Sequence, residues 1–403
     1  MKALIISVGT GTKQNIPAMK SLAGAIAHSI NHHNPDKVFF VTSSQSRENT
    51  LPTILEKTKL PQQKYEIIEL NDPDNIQNIY ETVNPHFKRI KTQYDNIVVD
   101  YTSGTKAMTA ALAILATLHE AQELSYITGK RIGGIVQAGT ERIMAIQPYF
   151  ATTEQKIKQA IQFFNKSQYA TAISILTQIK KTTHDPTITE RIKPLLQLAK
   201  AYDQWDKFQH QKAFEILKKI KEAELNGNKR FLGQMLNSEN PEPYLIADLI
   251  NNAQRRAQEE QKYDDAVARL YRTTELIAQY KLKRYYNIDP SNTDTQKIPQ
   301  QLLSKWNLPP ETKTIKLSLE KDYQLLEALG DIIGKTYAQD NKLKNLLSKR
   351  NTSILAHGLK PVSKDEYNQL HKIITKYAEE TIQNLKQLLE DSKHIKWKNH
   401  QNS

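Results

Sequence analysis

The segment RNTSILAHG, residues 350–358, places an arginine and a histidine seven positions apart. On an α-helix, at about 100° per residue, His357 returns to within ~20° of Arg350, two turns along the same face. Arg350 is a permanent cation whose planar fork matches phosphate oxygens, and His357 can exchange a proton near neutral pH. The pair therefore suits cleavage of a phosphodiester without a metal ion.

The flanking residues favour a site over the alternative, which is a solvated basic face of a helix. No other histidine in the chain has an arginine five to seven residues upstream. Residues 354–356 supply an apolar side, and Gly358 followed by Pro361 is typical of a helix stop. The pattern predicts a helix over 341–357, with His357 in the last turn, where the helix dipole favours the protonated imidazole.

The segment NIVVDYTSGTKAM, residues 96–108, predicts a second site in the N-terminal part of the chain. A buried strand is followed by a small polar turn, and a helix begins near Thr105. At the strand ends of an open α/β sheet, the backbone N–H groups of such a helix can bind an anion, and Lys106 can add a contact. The alternative is an ordinary helix N-cap formed by Thr102 or Ser103.

Two better-known phosphate loops do not match. A Walker A loop needs Ser or Thr directly after its lysine, whereas Ala107 follows Lys106, and the loop at residues 9–14 lacks the third glycine of a dinucleotide fingerprint. What remains is a set of polar loops at strand ends, whose hydroxyls and amides suit a ligand with several riboses, phosphates and base edges. The candidate ligand-binding residues are Gly9, Thr10, Gly11, Thr12, Ser43, Gln45, Thr102, Ser103, Gly104, Thr105 and Lys106.

Short apolar runs alternate with helical stretches over residues 1–150. The runs predict strands at residues 4–6, 38–41, 67–68, 97–99 and 124–127. Glycines at 133–134 and 139 suggest a final hairpin. Strands that alternate with helices favour a parallel, Rossmann-like sheet. Together with the helical pattern after residue 151, this gives a fold class of α/β plus all-α, with a Rossmann-like N-terminal domain over residues 1–150.

The strand pattern ends at Ala151, and the rest of the chain predicts helices. Residues 151–240 match no motif and are interpreted as a helical spacer, and residues 241–403 form the helical domain that contains Arg350 and His357. A further helix is predicted over 364–389. Four prolines make residues 289–314 typical of a loop or linker. The polar, basic tail 393–403 is expected to be frayed.

Composition limits the class of protein. A chain of 403 residues is long enough for two or three domains with cores of their own. The absence of cysteine excludes disulfides and thiolate zinc sites and suits a reducing cytoplasm. Neither a signal peptide nor a membrane span is expected, and no metal site can be argued. A net charge of +13 indicates a polyanionic partner.

RNTSILAHG resembles the R-x(4-6)-H signature of HEPN ribonucleases, including the polar residue after the arginine, here Asn351. It is especially similar to the version in CRISPR-associated HEPN proteins. The resemblance implies catalytic roles for Arg350, Asn351 and His357 in a metal-independent endoribonuclease that cuts single-stranded RNA. It implies attack by the ribose 2′-hydroxyl, a 2′,3′-cyclic phosphate product and two copies of the motif per site. Because this chain has one copy, a homodimer is expected.

DYTSGTKAM and the SVGTG loop after the first strand resemble loops of CARF domains in the same family. The order CARF then HEPN implies an ancillary ribonuclease of type III CRISPR immunity, switched on by a cyclic tetra- or hexa-adenylate on the two-fold axis of two CARF domains. Some relatives also cut this activator slowly, and the hydroxyls of Thr10 and Thr105 could orient that reaction. The alternative is a nonenzymatic, nucleotide-sensing regulator with a nucleic-acid-binding helical domain.

Some basic residues have two interpretations. Four arginines either line an RNA path or form a solvated basic face: Arg255, Arg256, Arg269 and Arg272. Glu275 is placed to pair with Arg272 or to orient a catalytic arginine. His32 and His33 lack a further ligand at metal-binding spacing and fit an exposed helix end.

Overall fold

A computed structural model of the chain describes residues 1–11, 16–132, 135–137, 139–148, 150–183, 185–356 and 358–398. The chain divides into two units, Met1–Lys156 and Ile157–Ser403. The first is built on a mixed sheet of mostly parallel strands, and the second is helical. The predicted fold class is therefore confirmed.

The first unit contains eight strands within its described residues. They are β1 (Lys2–Val8), β2 (Lys37–Ser43), β3 (Tyr65–Leu70), β4 (Asn96–Asp100), β5 (Glu123–Thr128), β6 (Arg131–Ile132), β7 (Ile135–Val136) and β8 (Arg142–Ile146). Six of them form one sheet in the order β3-β2-β1-β4-β5-β8, in which β1 to β5 are parallel and β8 is antiparallel to β5. The pair β6–β7 forms a separate antiparallel hairpin. All five predicted strands are present, and a hairpin forms near the predicted position.

Five helices cover the sheet: α1 (Ile16–His33), α2 (Ser44–Asn49), α3 (Leu51–Thr58), α4 (Ile76–Gln93) and α5 (Lys106–Leu118). Side chains of β1 alternate between two cores, because Leu4 and Ile6 pack with α1 and α3, whereas Ala3 and Ile5 pack with α4 and α5. The chain proceeds from β1 to β2 on one side and, later, from β4 to β5 on the other. The connections that follow β1 and β4 therefore go to opposite faces of the sheet, and a crevice is expected at the carboxyl ends of these strands.

The second unit consists of helices around one core that extends in sequence from Ile157 to Leu388. The helices are α6 (Phe150–Asn165, which begins in the first unit), α7 (Tyr169–Thr182), α8 (Pro186–Asp206), α9 (His210–Leu217), α10 (Asn226–Asn237), α11 (Glu242–Gln258), α12 (Tyr263–Tyr286), α13 (Gln300–Lys305), α14 (Leu319–Ala328), α15 (Ile332–Gln339), α16 (Asn341–Asn351), α17 (Lys364–Thr381) and α18 (Leu385–Asp391). The long α12 packs against α11, α14, α16 and α17.

The helix predicted over 341–357 is shorter in the structure. Its backbone leaves the helix at Thr352, which has φ −94° and ψ 0°, and α16 ends at Asn351. The amide of Lys360 then donates to the carbonyl of Thr352 at 3.1 Å, so the chain turns back at once. The expectation that Arg350 and His357 share one helix face is wrong, because the helix ends before position 357.

Three other expectations for the second unit also change. The proline-rich segment 289–314 is not a plain loop, since it contains α13 and one strand of the short pair β9 (Thr293–Asp294) and β10 (Thr314–Ile315). The helix predicted over 364–389 is divided into α17 and α18. The tail is not frayed over its described part, because Ile395 and Trp397 pack against the core.

Candidate functional site: a strand-end cavity and an arginine at a helix end

A cavity of about 450 Å³ lies in the first unit at the carboxyl ends of the strands. Nine of the candidate ligand-binding residues line it: Gly9, Thr10, Gly11, Ser43, Gln45, Thr102, Ser103, Gly104 and Thr105. The crevice expected from the strand order is therefore a real cavity, formed by loops that are separated in sequence.

Ser103 joins the loops after β1 and β4. Its hydroxyl donates to the carbonyl of Ser7 at 2.7 Å and accepts a hydrogen bond from the amide of Gly9 at 3.0 Å. The hydroxyl of Ser7 donates in return to the carbonyl of Ser103. Ser103 is buried, and its hydroxyl is used in holding the cavity wall together.

Two threonines of the same loop also have partners within the protein. Thr105 caps α5, because its hydroxyl accepts from the amide of Met108 at 3.1 Å and donates to the carbonyl of Pro73. The hydroxyl of Thr102 accepts from the amide of Ile127 at 2.9 Å. The helix cap is therefore Thr105, and the expectation of a cap at Thr102 or Ser103 is wrong.

The remaining candidates differ in how they face the cavity. Ser43 caps α2 in a reciprocal pair with Ser46, whereas the side chain of Gln45 is exposed at the lining. Lys106, the first residue of α5, is exposed and is not among the lining residues. Thr12 lies outside the described residues.

Sequence reasoning missed several lining residues, and Asp74 is the most informative. It is the one charged residue among the described residues that line the cavity, and it lies in the loop that follows β3. The end of β3 was predicted, so the strand-end rule could have found Asp74. The other missed residues are Val8, Ser21, Leu22, Ala25, Pro73, Met108, Ile127 and Val136.

A buried polar cluster around Asp100 lies beneath the loop that follows β4. Asp100 is fully buried and accepts from the amide of Thr102 at 2.8 Å, and burial raises the pKa of its carboxyl group. The ring of His33 lies 3.0 Å from the hydroxyl of Ser125, and burial lowers the His33 pKa to about 4. The two histidines do end α1, and His32 is exposed as expected, but the expectation of an exposed His33 is wrong, because His33 is a neutral interior residue.

Arg350 lies in the last turn of α16, half-buried against α12. Its guanidinium carbon is 4.8 Å from the centre of the Tyr271 ring. Its Nε is buried and has no hydrogen-bond partner among the described residues. The neighbouring Lys349, by contrast, pairs with Glu366. The planar fork of Arg350 is thus held against an aromatic face and remains available for an anion.

The loop after Arg350 is tightly fastened on both sides of position 357. The amides of Ala356 and Gly358 both donate to the carbonyl of Ser353, at 3.0 and 3.2 Å. A β-carbon at position 358 would lie 2.0 Å from the carbonyl oxygen of Thr352, so only glycine fits there. His357 itself and the side chain of Asn351 lie outside what the structure describes.

The four arginines that the sequence placed either on an RNA path or on a solvated face all have partners within the protein. Arg255 is buried and pairs with Asp206 at 3.1 Å, and Arg256 pairs with Asp206 and Glu260. The other two also have side-chain partners, since Arg269 bonds Asn252 and Arg272 pairs with Glu275 at 3.0 Å. The first three fasten helices inside the unit, so both earlier interpretations of these three, an RNA path and a solvated face, are wrong.

Within the described part of the chain, no cluster of three or more His, Asp and Glu side chains is placed to hold a metal ion. No described helix is both long and apolar enough to cross a membrane.

Three family models match successive parts of the chain. They are the Card1 CARF domain at residues 12–148, the Csm6 6H domain at residues 152–239 and the Csm6 HEPN domain at residues 234–381. The chain therefore has the domains of a CRISPR-associated CARF–HEPN protein, in that order. The lining residues of the cavity from Ser21 to Val136 lie within the CARF match, and those from Val8 to Gly11 lie just before it. Arg350 lies within the HEPN match, and the segment that resembled no motif is matched by the 6H domain.

Solved structures give the same picture of the fold. Enterococcus italicus Csm6 bound to cyclic hexa-2′-fluoro-hexa-dAMP matches 97% of this CARF–HEPN chain and 98% of its own, with a TM-score of 0.58 and 15% identity. At that identity the likeness shows a shared fold. Can2 from Sulfobacillus thermosulfidooxidans in complex with cyclic tetra-adenylate covers 44% of this chain and 51% of its own at 15% identity, and its TM-score of 0.25 supports no inference. No curated protein matches the sequence significantly.

Proposed function

We propose that this CARF–HEPN protein is a ribonuclease of type III CRISPR defence that a cyclic oligoadenylate activates. The observation that carries the proposal is the Arg350 guanidinium, half-buried at a helix end within the HEPN match, with no hydrogen-bond partner for its Nε among the described residues. A half-buried cation with an unpaired N–H donor is stabilised when an anion meets it. The phosphate of an RNA backbone is such an anion.

In the proposed reaction, the 2′-hydroxyl of one ribose attacks the adjacent phosphorus and the 5′-oxygen of the next nucleotide leaves. The products are a 2′,3′-cyclic phosphate and a 5′-hydroxyl end. Arg350 stabilises the charge that develops on the phosphorane oxygens. His357 moves a proton as general acid or base, and Asn351 orients the phosphate. This chemistry needs no metal ion and suits single-stranded RNA, in which the attacking and leaving oxygens can align freely.

We infer that the active species is a homodimer in which two motifs form one composite site. Three apolar side chains beside Arg350 support this, because they are exposed in the single chain: Ile354 by 64%, Leu355 by 45% and Leu359 by 87%. Apolar side chains grouped on a surface are typical of an interface. A second copy of the same loop would cover them and bring two arginines together.

The CARF cavity is the proposed activator site. The N-terminus of α5, capped by Thr105, and the loop at Thr10 and Gly11 offer backbone N–H groups for phosphates. The Gln45 amide and the Asp74 carboxylate suit base edges and ribose hydroxyls. We propose that two such cavities share one cyclic tetra- or hexa-adenylate, to which Lys106 and Thr12 also contribute contacts. The Csm6 of the comparison holds a cyclic hexanucleotide analogue.

Activation requires the ligand to prefer the active arrangement of the dimer. A tenfold activation needs about 1.4 kcal/mol of differential affinity. We also propose that the protein cuts its activator slowly. Of the two threonines suggested to orient that reaction, Thr10 is the better candidate, because the Thr105 hydroxyl already donates to the carbonyl of Pro73. The protein is proposed to work in the cytoplasm, where transcripts and activator would meet it.

The decisive experiment mixes a labelled single-stranded RNA with the protein in EDTA, with and without cyclic tetra- or hexa-adenylate. We expect fragments with 2′,3′-cyclic phosphate ends only when one of the two rings is present. The alternative function, a nonenzymatic regulator, predicts ring binding with intact RNA. A protein that binds neither ring would refute the gating proposal.

A further inference from the structure

Tyr271 lies on α12, and its ring faces the Arg350 guanidinium. The distance from the guanidinium carbon to the ring centre is 4.8 Å, which is within the range of a cation–π contact. The two residues are far apart in sequence, and the packing of α12 against α16 brings them together. No catalytic motif in the sequence includes this tyrosine.

The ring is a firm support for the arginine. Tyr271 is half-buried and packs against the main core of the unit, next to the fully buried Leu270. Burial raises the pKa of its hydroxyl, so the ring stays uncharged at neutral pH. It therefore presents a neutral aromatic face to the cation.

Nearby carboxylates are occupied elsewhere. Glu275, one turn along α12, pairs with Arg272 at 3.0 Å. Glu320 accepts from the hydroxyl of Tyr337 at 3.0 Å. This arrangement matters because a carboxylate partner would consume the N–H donors of Arg350 and neutralise its charge. An aromatic face fixes the plane of the guanidinium and leaves its edge free for a phosphate.

We propose that Tyr271 is a positioning residue of the ribonuclease site, which holds the Arg350 fork in the orientation that meets the scissile phosphate. The proposal rests on the proposed ribonuclease function. It assigns Tyr271 no contact with RNA and no proton transfer. The aromatic ring is the essential part, and the hydroxyl group is dispensable.

The test compares three variants at saturating activator: Tyr271→Leu, Tyr271→Phe and Tyr285→Leu. The last is a matched control, because Tyr285 lies on the same helix and its ring faces the Lys281 amine at 4.7 Å, yet it is 60% exposed. We expect Tyr271→Leu to lower kcat about tenfold with little change in KM, since the guanidinium contact matters most in the transition state. Tyr271→Phe should stay within about twofold of wild type, because it keeps the ring.

Thermal unfolding and binding of the cyclic oligoadenylate are measured for every variant. If Tyr271→Phe loses as much kcat as Tyr271→Leu, the proposal is overturned, because the aromatic side chain is then not the essential part. Equal kcat for Tyr271→Leu and Tyr285→Leu would also overturn it. If Tyr271→Leu does not fold, the proposal is tested with Tyr271→Phe and Arg350→Lys. The Tyr271→Phe variant must then retain activity, and the Arg350→Lys variant, which lacks the planar fork, must lose it.

Wild-type protein that binds a cyclic oligoadenylate but cuts no RNA would refute the ribonuclease function itself, and this proposal with it.

Discussion

Gly9 lies directly against Gly104 where the loops after β1 and β4 meet. A β-carbon on Gly9 would be 2.6 Å from the backbone nitrogen of Gly104, closer than real atoms come. Gly104 has a φ of 100°, a conformation that favours glycine. These two glycines therefore allow the loops to close together, and the hydroxyl of Ser103 fastens them.

The Gly9→Ala variant should weaken activator binding. Its methyl group would push the loop after β1 away from Gly104 and alter the cavity wall. We expect the concentration of cyclic oligoadenylate that gives half-maximal activation to rise at least tenfold, which corresponds to a loss of about 1.4 kcal/mol in binding free energy. The cleavage rate at saturation should change little. Calorimetric titration and RNA cleavage measure the two quantities. Gly24→Ala is the control, because a β-carbon there meets no atom within 4 Å. Equal affinity of the Gly9 and Gly24 variants would contradict the role of this contact.

The Arg350→Ala and His357→Ala variants should lose RNA cleavage and keep ring binding. Removal of one donor that stabilises transition-state charge costs roughly 10²–10³ in rate, and removal of a general acid or base roughly 10²–10⁴. Asn351→Ala should have a smaller effect. Cleavage of a labelled RNA at saturating activator measures the losses. Lys349→Ala is the control, because it removes a cation from the same turn that pairs with Glu366. Undiminished cleavage by the His357→Ala protein would rule out its catalytic role.

Subunit mixing tests whether two motifs form one site. Wild-type protein is mixed with excess Arg350→Ala protein under conditions in which subunits exchange. If each site needs both copies, activity should fall more steeply than the wild-type fraction. Light scattering should give the mass of a dimer for the active species. Activity proportional to the wild-type fraction would mean that each chain works alone.

The sheet could be predicted from the sequence because its strands are buried on both faces. Runs such as residues 97–99 contain apolar residues without interruption, which is typical of a covered parallel sheet. No helix was predicted at α10, α13 or α15: α13 lies in the proline-rich segment interpreted as a loop, whereas α10 and α15 contain glycine, which lowers helix propensity. In α15 the reason is packing: a β-carbon on Gly334 would lie 2.2 Å from the backbone nitrogen of Glu327, so glycine allows α14 and α15 to approach.

The candidate site was predictable only in part. Loops at strand ends could be found from the strand pattern, and nine of the candidate residues line one cavity. The hydrogen bond between Ser103 and Ser7 could not be predicted from the sequence, because it depends on β1 and β4 being neighbours in the sheet. The same reason applies to Tyr271 and Arg350, which only the packing of α12 against α16 joins. The residue types were enough to suggest the chemistry, whereas the side chains that hold these residues in place could be identified only from the folded structure.

The described part of the tail should stabilise the helical unit. The His394 ring stacks on Tyr202 with 4.0 Å between ring centres, and its Nδ1 lies 2.8 Å from the Tyr169 hydroxyl. The Trp397 amide donates to the Asn165 side chain at 2.7 Å. Deletion of residues 393–403 should therefore lower the free energy of unfolding by ~3 kcal/mol, as expected for lost aromatic packing and hydrogen bonds. Denaturation in urea measures it. Deletion of 399–403 removes none of these contacts and should change little; equal loss in both truncations would refute the role of the tail segment.

Asp322 should make the folded state less stable as pH rises. Its side chain on α14 is fully buried. Burial, with the nearby charge of Glu275, raises its pKa to about 8, although Arg272 opposes the shift. The unfolded chain loses this proton near about pH 4, whereas the folded protein keeps it to about pH 8. The folded state therefore binds more protons between these values. Its stability is full below about pH 4, falls by up to ~1.4 kcal/mol per pH unit between that value and about pH 8, and is level above it. Asp322→Asn keeps the shape without the charge, so urea denaturation of this variant should give higher stability than wild type at neutral pH and a flatter pH profile. Parallel profiles for the two proteins would mean that Asp322 ionises normally in the folded state.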